Sequence, residues 1–407
     1  MSHLDRRDVL RLFAALGAGG AAMPILAACS GGGGAGSSET EPNVVHSGPP
    51  IKIGMVVPQT GALKPFGDEM ANGFQLYLRQ NGNQLGGRTV TVVAADEGET
   101  AESSRAAAEK LLKQEKVVAL TGVVNPAGML AMKDLVESSQ TPLIGSNASP
   151  TNLGGVYIWR TSFIPAEPSK ALGGYLATNG GGRVAVMAGD YNGDGAQQDE
   201  IKGFFETFNA ANGTLAGTTH VTPVSAKSYA DVFTQIRNSG ATSLFAFYTG
   251  SNAVDFVKQA ASFNFGVPGF RVYSPGVLTE GPLLKQQGTA ANGVFTAMNY
   301  SPDLDNPANR RFVSDYQKTY SSIPSAYAVA SYDAAMVIDK AIDGVEDDLT
   351  AQALNAALGR LGQIDSPRGA WQFTANRVPL QKWYLRQVRK DGMVLSNVLT
   401  AELTTLG

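Results

Sequence analysis

From Ile51 onward, short apolar runs alternate with longer amphipathic stretches. Ile51-Lys52-Ile53-Gly54-Met55-Val56-Val57 reads as a buried strand, and a helical pattern follows from about Gly67 to Asn81. Such alternation predicts parallel sheets flanked by helices, an α/β class. The pattern also repeats itself. Gly67 opens a helix that runs through Gly73-Phe74 to Asn81-Gly82, and Gly195 opens another that runs through Gly203-Phe204 to Asn212-Gly213, after the strand Arg183 to Ala188. Val117 to Gly122 and Leu244 to Gly250 are two further strands, each ending in Thr-Gly before a helix. The offset is 128 residues both from Gly67 to Gly195 and from Gly122 to Gly250. Two similar βα lobes are therefore expected.

The later chain continues neither repeat. Helical patterns run from Asn306 to Tyr320, Ser325 to Ile342 and Thr350 to Leu361. Short strands follow at Gly369 to Phe373, Lys382 to Val388 and Met393 to Leu395, with a hairpin turn at Asp391-Gly392. This order predicts a chain that crosses between lobes more than once.

The first 50 residues carry a different pattern. Arg6-Arg7-Asp8-Val9-Leu10-Arg11 leads into an Ala/Gly/Leu-rich run from Leu12 to Ala28, and Leu26-Ala27-Ala28 precedes Cys29. The arginine pair resembles a twin-arginine export signal, and the four residues ending at Cys29 resemble a lipobox, in which the thiol takes a lipid. Residues 1–28 are then a signal peptide, and the Gly/Ser-rich stretch 29–50 a flexible tether. Cys29 is the only cysteine of 407 residues, which excludes disulfides and cysteine-based metal centres. Taking the leader's three bases and two acids from the chain's 32 and 35 leaves 29 against 33. A mildly acidic protein of this kind is no partner for nucleic acid.

Residues suited to catalysis are scarce. The histidines are His3, His46 and His220, of which only His220 lies in the folded part, and no Gly-x-Ser-x-Gly elbow precedes a helix. Gly189 to Gly195 is glycine-rich with two carboxylates but lacks the remaining ligands of a calcium loop and the Gly-Lys-Ser/Thr of a phosphate loop. No metal or cofactor is expected. In open α/β sheets the loops after the strands form the binding crevice. Here they are small and polar, among them Pro58 to Phe66, Gly122 to Ala127, Gly145 to Pro150 and Thr249 to Asn252.

A family resemblance rests on residues spread over this frame: Thr60-Gly61, Phe66-Gly67-Asp68, Leu85-Gly86-Gly87-Arg88, Thr121-Gly122, Ser146 to Pro150, Ser274-Pro275-Gly276 and Tyr332-Asp333-Ala334. In their order the chain resembles the branched-chain amino acid receptor family of type 1 periplasmic binding proteins, which deliver solutes to ABC importers. The resemblance implies two doubly wound parallel-sheet lobes joined by hinge strands, 51–164 plus 299–370 and 165–298 plus 371–407. Ligand would be trapped between them as they close. It also implies ABC permease and ATPase subunits as partners, a monomer, and a place at the outer face of the cell membrane, held by lipid on Cys29.

Carried over position by position, the resemblance puts a carboxylate-binding group at Asn125, Ala127, Ser146 and Ala148, with Phe66 as an apolar wall. Tyr191, Asn192, Tyr248, Ser251 and Gly276 would face them from the second lobe. Pro126 removes an N–H at the helix start, Phe66 stands where the family often has tyrosine, and no acid lies beside Gly276 to meet an ammonium group. The expected solute is small and polar or anionic, an amino acid, an amide or an aromatic or other carboxylic acid. Two other readings compete: a ligand-sensing subunit of the same fold that signals to a membrane partner, and a secreted hydrolase.

The leader gives a direct test. Cys29→Ala should yield a protein without lipid that is released from membranes, and Arg6→Lys with Arg7→Lys should halt export. Membrane fractionation and lipid labelling check both, and a Cys29→Ala protein still processed and membrane-held would refute the anchor.

Overall fold

A computed structural model describes residues 48–147, 150, 153–179, 182–191, 196–346, 348–392 and 394–407. Cys29 with the whole leader, Ala148 and Asn192 fall outside the described residues. Strand β1 (Ile51–Val57) is buried at every position but Lys52, which suits a strand covered on both faces. With β2 (Gln84–Leu85), β3 (Arg88–Asp96), β4 (Ala119–Gly122), β5 (Leu143–Gly145) and β6 (Ile158–Arg160) it forms a sheet of order β2-β3-β1-β4-β5-β6, parallel except at β2. The chain leaves β1 toward β3 and returns to place β4 on the other flank. The loops after β1 and β4 therefore diverge and leave a crevice between them.

The second sheet repeats that winding around β7 (Arg183–Asp190). The strands β8 (Thr214–Leu215) and β9 (His220–Pro223) pair with one side of β7. The other side takes β10 (Ser243–Phe247), β11 (Arg271–Pro275) and β12 (Phe295–Met298), all parallel. Then β13 (Ile364–Ser366) and β14 (Gly369–Phe373) lead into the long hairpin of β15 (Pro379–Asp391) and β16 (Val394–Leu406). The hairpin joins the sheet antiparallel to β12. Its strands extend far beyond the apolar stretches at Lys382 to Val388 and near Leu395, because β12 and the hairpin partner supply hydrogen bonds that polar positions exploit equally well.

Gly67, Gly73 and Gly203 serve packing, and the first helix starts three residues before Gly67. The first helix runs Lys64–Gln80, with Pro65 in its first turn, and the second Ala196–Ala210. A Cβ at Gly67 would collide with the carbonyl oxygen of Pro58. At Gly73 it would strike the Ala328 carbonyl, and at Gly203 that of Ala166. Each repeat thus uses its second glycine to bring a helix against its neighbour, Ala326–Asp343 in the first lobe and Ala166–Thr178 in the second.

The three late helices lie where the pattern puts them, at Pro307–Tyr320, Ala326–Asp343 and Ala351–Leu358, the first and third capped by the side chains of Asn306 and Thr350 and the second preceded by Ser325. The middle one is buried on nearly every side, its apolar residues joining β1, Trp159, Ile364 and Trp371 in the first lobe's core.

The described residues belong to one unit, and the chain passes between its two lobes three times: after β6, after β12 and after β14. One side chain ties these passages together. The Gln381 carboxamide oxygen accepts from Asn299 Nδ2 at 2.9 Å and from Arg368 Nη1 at 2.8 Å, while its Nε2 donates to the Ser162 carbonyl at 3.0 Å. Arg368 in turn pairs with the buried Asp333 at 2.9 Å. Gln381→Ala leaves several of these buried groups without partners, and the expected loss is about 2–4 kcal/mol. Urea unfolding of the mature protein measures it, and a loss under about 1 kcal/mol would deny Gln381 this role.

Candidate functional site

The loops that leave the two crevices face each other across one cavity of about 330 Å³. From the first lobe it receives Leu63 and Phe66 after β1, Val124 and Asn125 after β4, and Asn147 after β5. From the second it receives Tyr191 after β7, Phe247, Thr249 and Gly250 at the end of β10, and Val277 after β11. The winding reverses beside β1 in one sheet and beside β7 in the other, so both lobes present corresponding strand ends to the same space. Phe163, at the first crossing, and Tyr327, on the buried late helix, close the wall.

A larger hollow of about 490 Å³ collects none of these loops. Its polar groups are engaged within the protein: Glu280 accepts from Arg386 at 2.6 Å and from the Ala326 N–H at 2.7 Å, and Ser325 donates to Glu69. Burial pushes the Glu69 carboxyl up to about 7.

In the first lobe the helix start does not await an anion. Glu97, fully buried, accepts from the Val124 N–H at 2.8 Å and the Asn125 N–H at 2.7 Å. Asn125 Oδ1 caps its own helix by accepting from the Ala127 N–H at 3.0 Å, and Pro126 has no N–H. Ala127 is exposed, and its donor is taken. Burial raises the Glu97 carboxyl to about 7, against the pull of the two N–H groups. The Ser146 hydroxyl is fully buried without a partner in a small recess beside Asn147, Phe163 and Tyr327.

In the second lobe the helix Gly250–Ser262 begins differently. The Thr249 side chain makes no cap and the first turn holds no acid. Tyr191 braces this start, its hydroxyl accepting from the Thr249 N–H at 2.7 Å while its ring edge meets Phe247 at 5.8 Å.

Of the expected site residues, Phe66, Asn125 and Tyr191 line the cavity. Tyr248 does not. It is fully buried, stacked on Phe256 at 4.6 Å with its hydroxyl 2.8 Å from Thr222. Successive residues leaving β10 point to opposite sides, and Phe247 takes the cavity side. Ser251 is exposed one residue beyond the lining. Gly276 is packed so tightly that a Cβ would meet Met298 and Arg386, and its neighbour Val277 reaches the cavity instead.

The acid missing near Gly276 is supplied elsewhere. Glu200, on the helix after β7, lines the cavity and is 2% exposed. Ser169 donates to its carboxyl, and burial holds that carboxyl well above the usual range. Nothing in the local sequence marks Glu200 as a cavity residue, whereas Tyr327 stands at the head of the stretch ending in Tyr332-Asp333-Ala334 that carried the resemblance.

A model of the periplasmic binding protein family matches residues 50–393. The chain belongs to the periplasmic binding protein family. Leu/Ile/Val-binding protein homolog 6 of Brucella melitensis is 29% identical over 353 residues, covering 84% of this chain and 88% of the relative. A solute-binding protein of an ABC transporter from Rhodopseudomonas palustris, in complex with 3,4-dihydroxybenzoic acid, is 27% identical with a TM-score of 0.79, over 88% of this chain and 98% of that one. Another from R. palustris, in complex with benzoate, is 26% identical with a TM-score of 0.74, over 86% and 97%. This binding protein therefore groups with the branched-chain amino acid receptors of type 1 fold, and it is a solute receptor, not an enzyme. Its place is outside the cytoplasm. Among the described residues no helix is long and apolar enough to cross a membrane.

The buried acid of this binding protein has a measurable consequence. Glu97 moves from 4.5 to about 7 on folding, so between these values the folded form keeps a proton that the unfolded chain has lost. Stability should fall as pH rises through that window, by up to about 1.4 kcal/mol per pH unit for this group. Glu97→Gln should flatten the dependence in unfolding curves taken from pH 4.5 to 7, and an unchanged slope would show that Glu97 is already ionised.

Proposed function

We propose that this protein captures an aromatic carboxylate outside the cell and delivers it to an ABC importer. The observation that carries this reading is the cavity wall. Phe66, Phe163, Phe247 and Tyr327, with Leu63 and Leu283, enclose a space suited to one substituted ring. The relatives solved with benzoate and 3,4-dihydroxybenzoic acid support the same ligand class.

The anionic end is received by the start of the helix Gly250–Ser262, where backbone N–H groups carry no side-chain cap and the helix dipole favours negative charge. That differs from the first-lobe group at Asn125, Ala127 and Ser146, because Glu97 and Asn125 already engage the donors there. Closure of the lobes around the three crossings retains the ligand, and the closed form is what the permease meets. The twin-arginine leader exports the folded chain, and lipid on Cys29 holds it at the outer face of the membrane.

Calorimetric titration of the mature protein with benzoate, hydroxybenzoates and leucine tests the reading. Benzoates should bind and leucine should not. Phe66→Ala and Phe247→Ala should each weaken binding by about 1–3 kcal/mol through lost apolar contact. Small-angle scattering at saturation should show a smaller radius of gyration. Tight leucine binding with no response to any benzoate would overturn the assignment.

A further inference from the structure

Among the described residues Glu200 is the one carboxyl on the cavity wall, and the aromatic lining alone gives it nothing to do. Its carboxyl is 2% exposed and one oxygen, Oε2, is engaged by the Ser169 hydroxyl. The charges that act on it are those of Asp199 and Glu167, both negative. Burial is the larger cause and these two acids add to it, so the neutral acid is the favoured form.

A neutral carboxyl both donates and accepts a hydrogen bond, as does a phenolic hydroxyl. An ammonium group, by contrast, only donates, and it would have to drive the proton off Glu200 to gain a counter-ion. An unsubstituted ring would leave a buried polar group facing hydrocarbon.

Resting on the aromatic carboxylate reading, we propose that Glu200 is the specificity-determining residue of the cleft. Its buried carboxyl receives a hydroxyl on the ligand's ring, so that hydroxybenzoates are bound in preference to benzoate and to α-amino acids. The wall and the helix start at Gly250 set the ligand class, and Glu200 selects within it.

Titration of the mature protein and of Glu200→Gln and Glu200→Leu with benzoate, 3-hydroxybenzoate, 4-hydroxybenzoate and leucine decides the matter. The wild type should prefer one of the hydroxybenzoates over benzoate roughly tenfold, the worth of one buried hydrogen bond. Glu200→Gln, which keeps a neutral donor and acceptor of the same shape, should retain the preference. Glu200→Leu should abolish it, with circular dichroism and thermal unfolding reporting that the variant is folded. Equal wild-type affinities for benzoate and both hydroxybenzoates, or a preference that survives in Glu200→Leu, would overturn the role of Glu200 while the aromatic reading stands. Failure of every benzoate to bind the wild type would bring down the aromatic reading itself. Leucine binding that releases a proton and vanishes in Glu200→Gln would make the carboxyl the counter-ion of an ammonium group and would overturn the proposal as well.

Discussion

Three segments of chain pass between the two lobes through a buried region, and each brings polar backbone and side-chain groups with it. The Gln381 carboxamide meets that constraint at one point, holding Ser162 of the first passage, Asn299 of the second and Arg368 of the third. A carboxamide suits the task because it carries donors and an acceptor without charge, and so satisfies three segments with no desolvation of an ion. Arg368 extends the contact to Asp333 and, through its stacking over Trp371, to the first lobe's core. Farther along, Glu280 links the second lobe to the first through Arg386 and the Ala326 N–H.

The cavity inherits its chemistry from how each lobe treats its own helix starts. The first lobe fills its donors internally, with Glu97 lying beneath the loop after β4 and Asn125 capping its helix. The second leaves the start at Gly250 uncapped and braces it from the side with Tyr191. Two lobes built on one duplicated plan therefore present different surfaces: an apolar and amide surface on one side, and an uncapped helix start beside a buried acid on the other. The loss of symmetry lies in single side chains, since the sheets wind alike.

Much of the plan was legible in the chain. Alternating strand and helix patterns gave the α/β class, the constant offset between glycine landmarks gave two lobes, and the three late helices lie within a few residues of their predicted ends because Asn306, Ser325 and Thr350 mark their starts. Phe66, Asn125 and Tyr191 line the cavity because each follows closely on a strand, Asn125 and Tyr191 in loops and Phe66 in the first turn of a helix. Tyr248 was misplaced because the period-two alternation at the end of β10 decides between two adjacent aromatic residues, and the composition of the segment does not.

The sequence by itself determined the local structure and the repeat, since periodicity, caps and close-packing glycines act over a few residues. It also carries the leader, the tether and the single cysteine as a linear message. Only the tertiary structure decided the site. Phe163, Glu200 and Tyr327 come from three separate parts of the chain and meet because two sheets, each reversing its winding beside a central strand, turn those ends toward one another. The surroundings of Glu200 were likewise set at that level, because its burial, the Ser169 hydroxyl and the nearness of Glu167 depend on how the helix Ala166–Thr178 packs against Ala196–Ala210, which no short stretch of residues encodes.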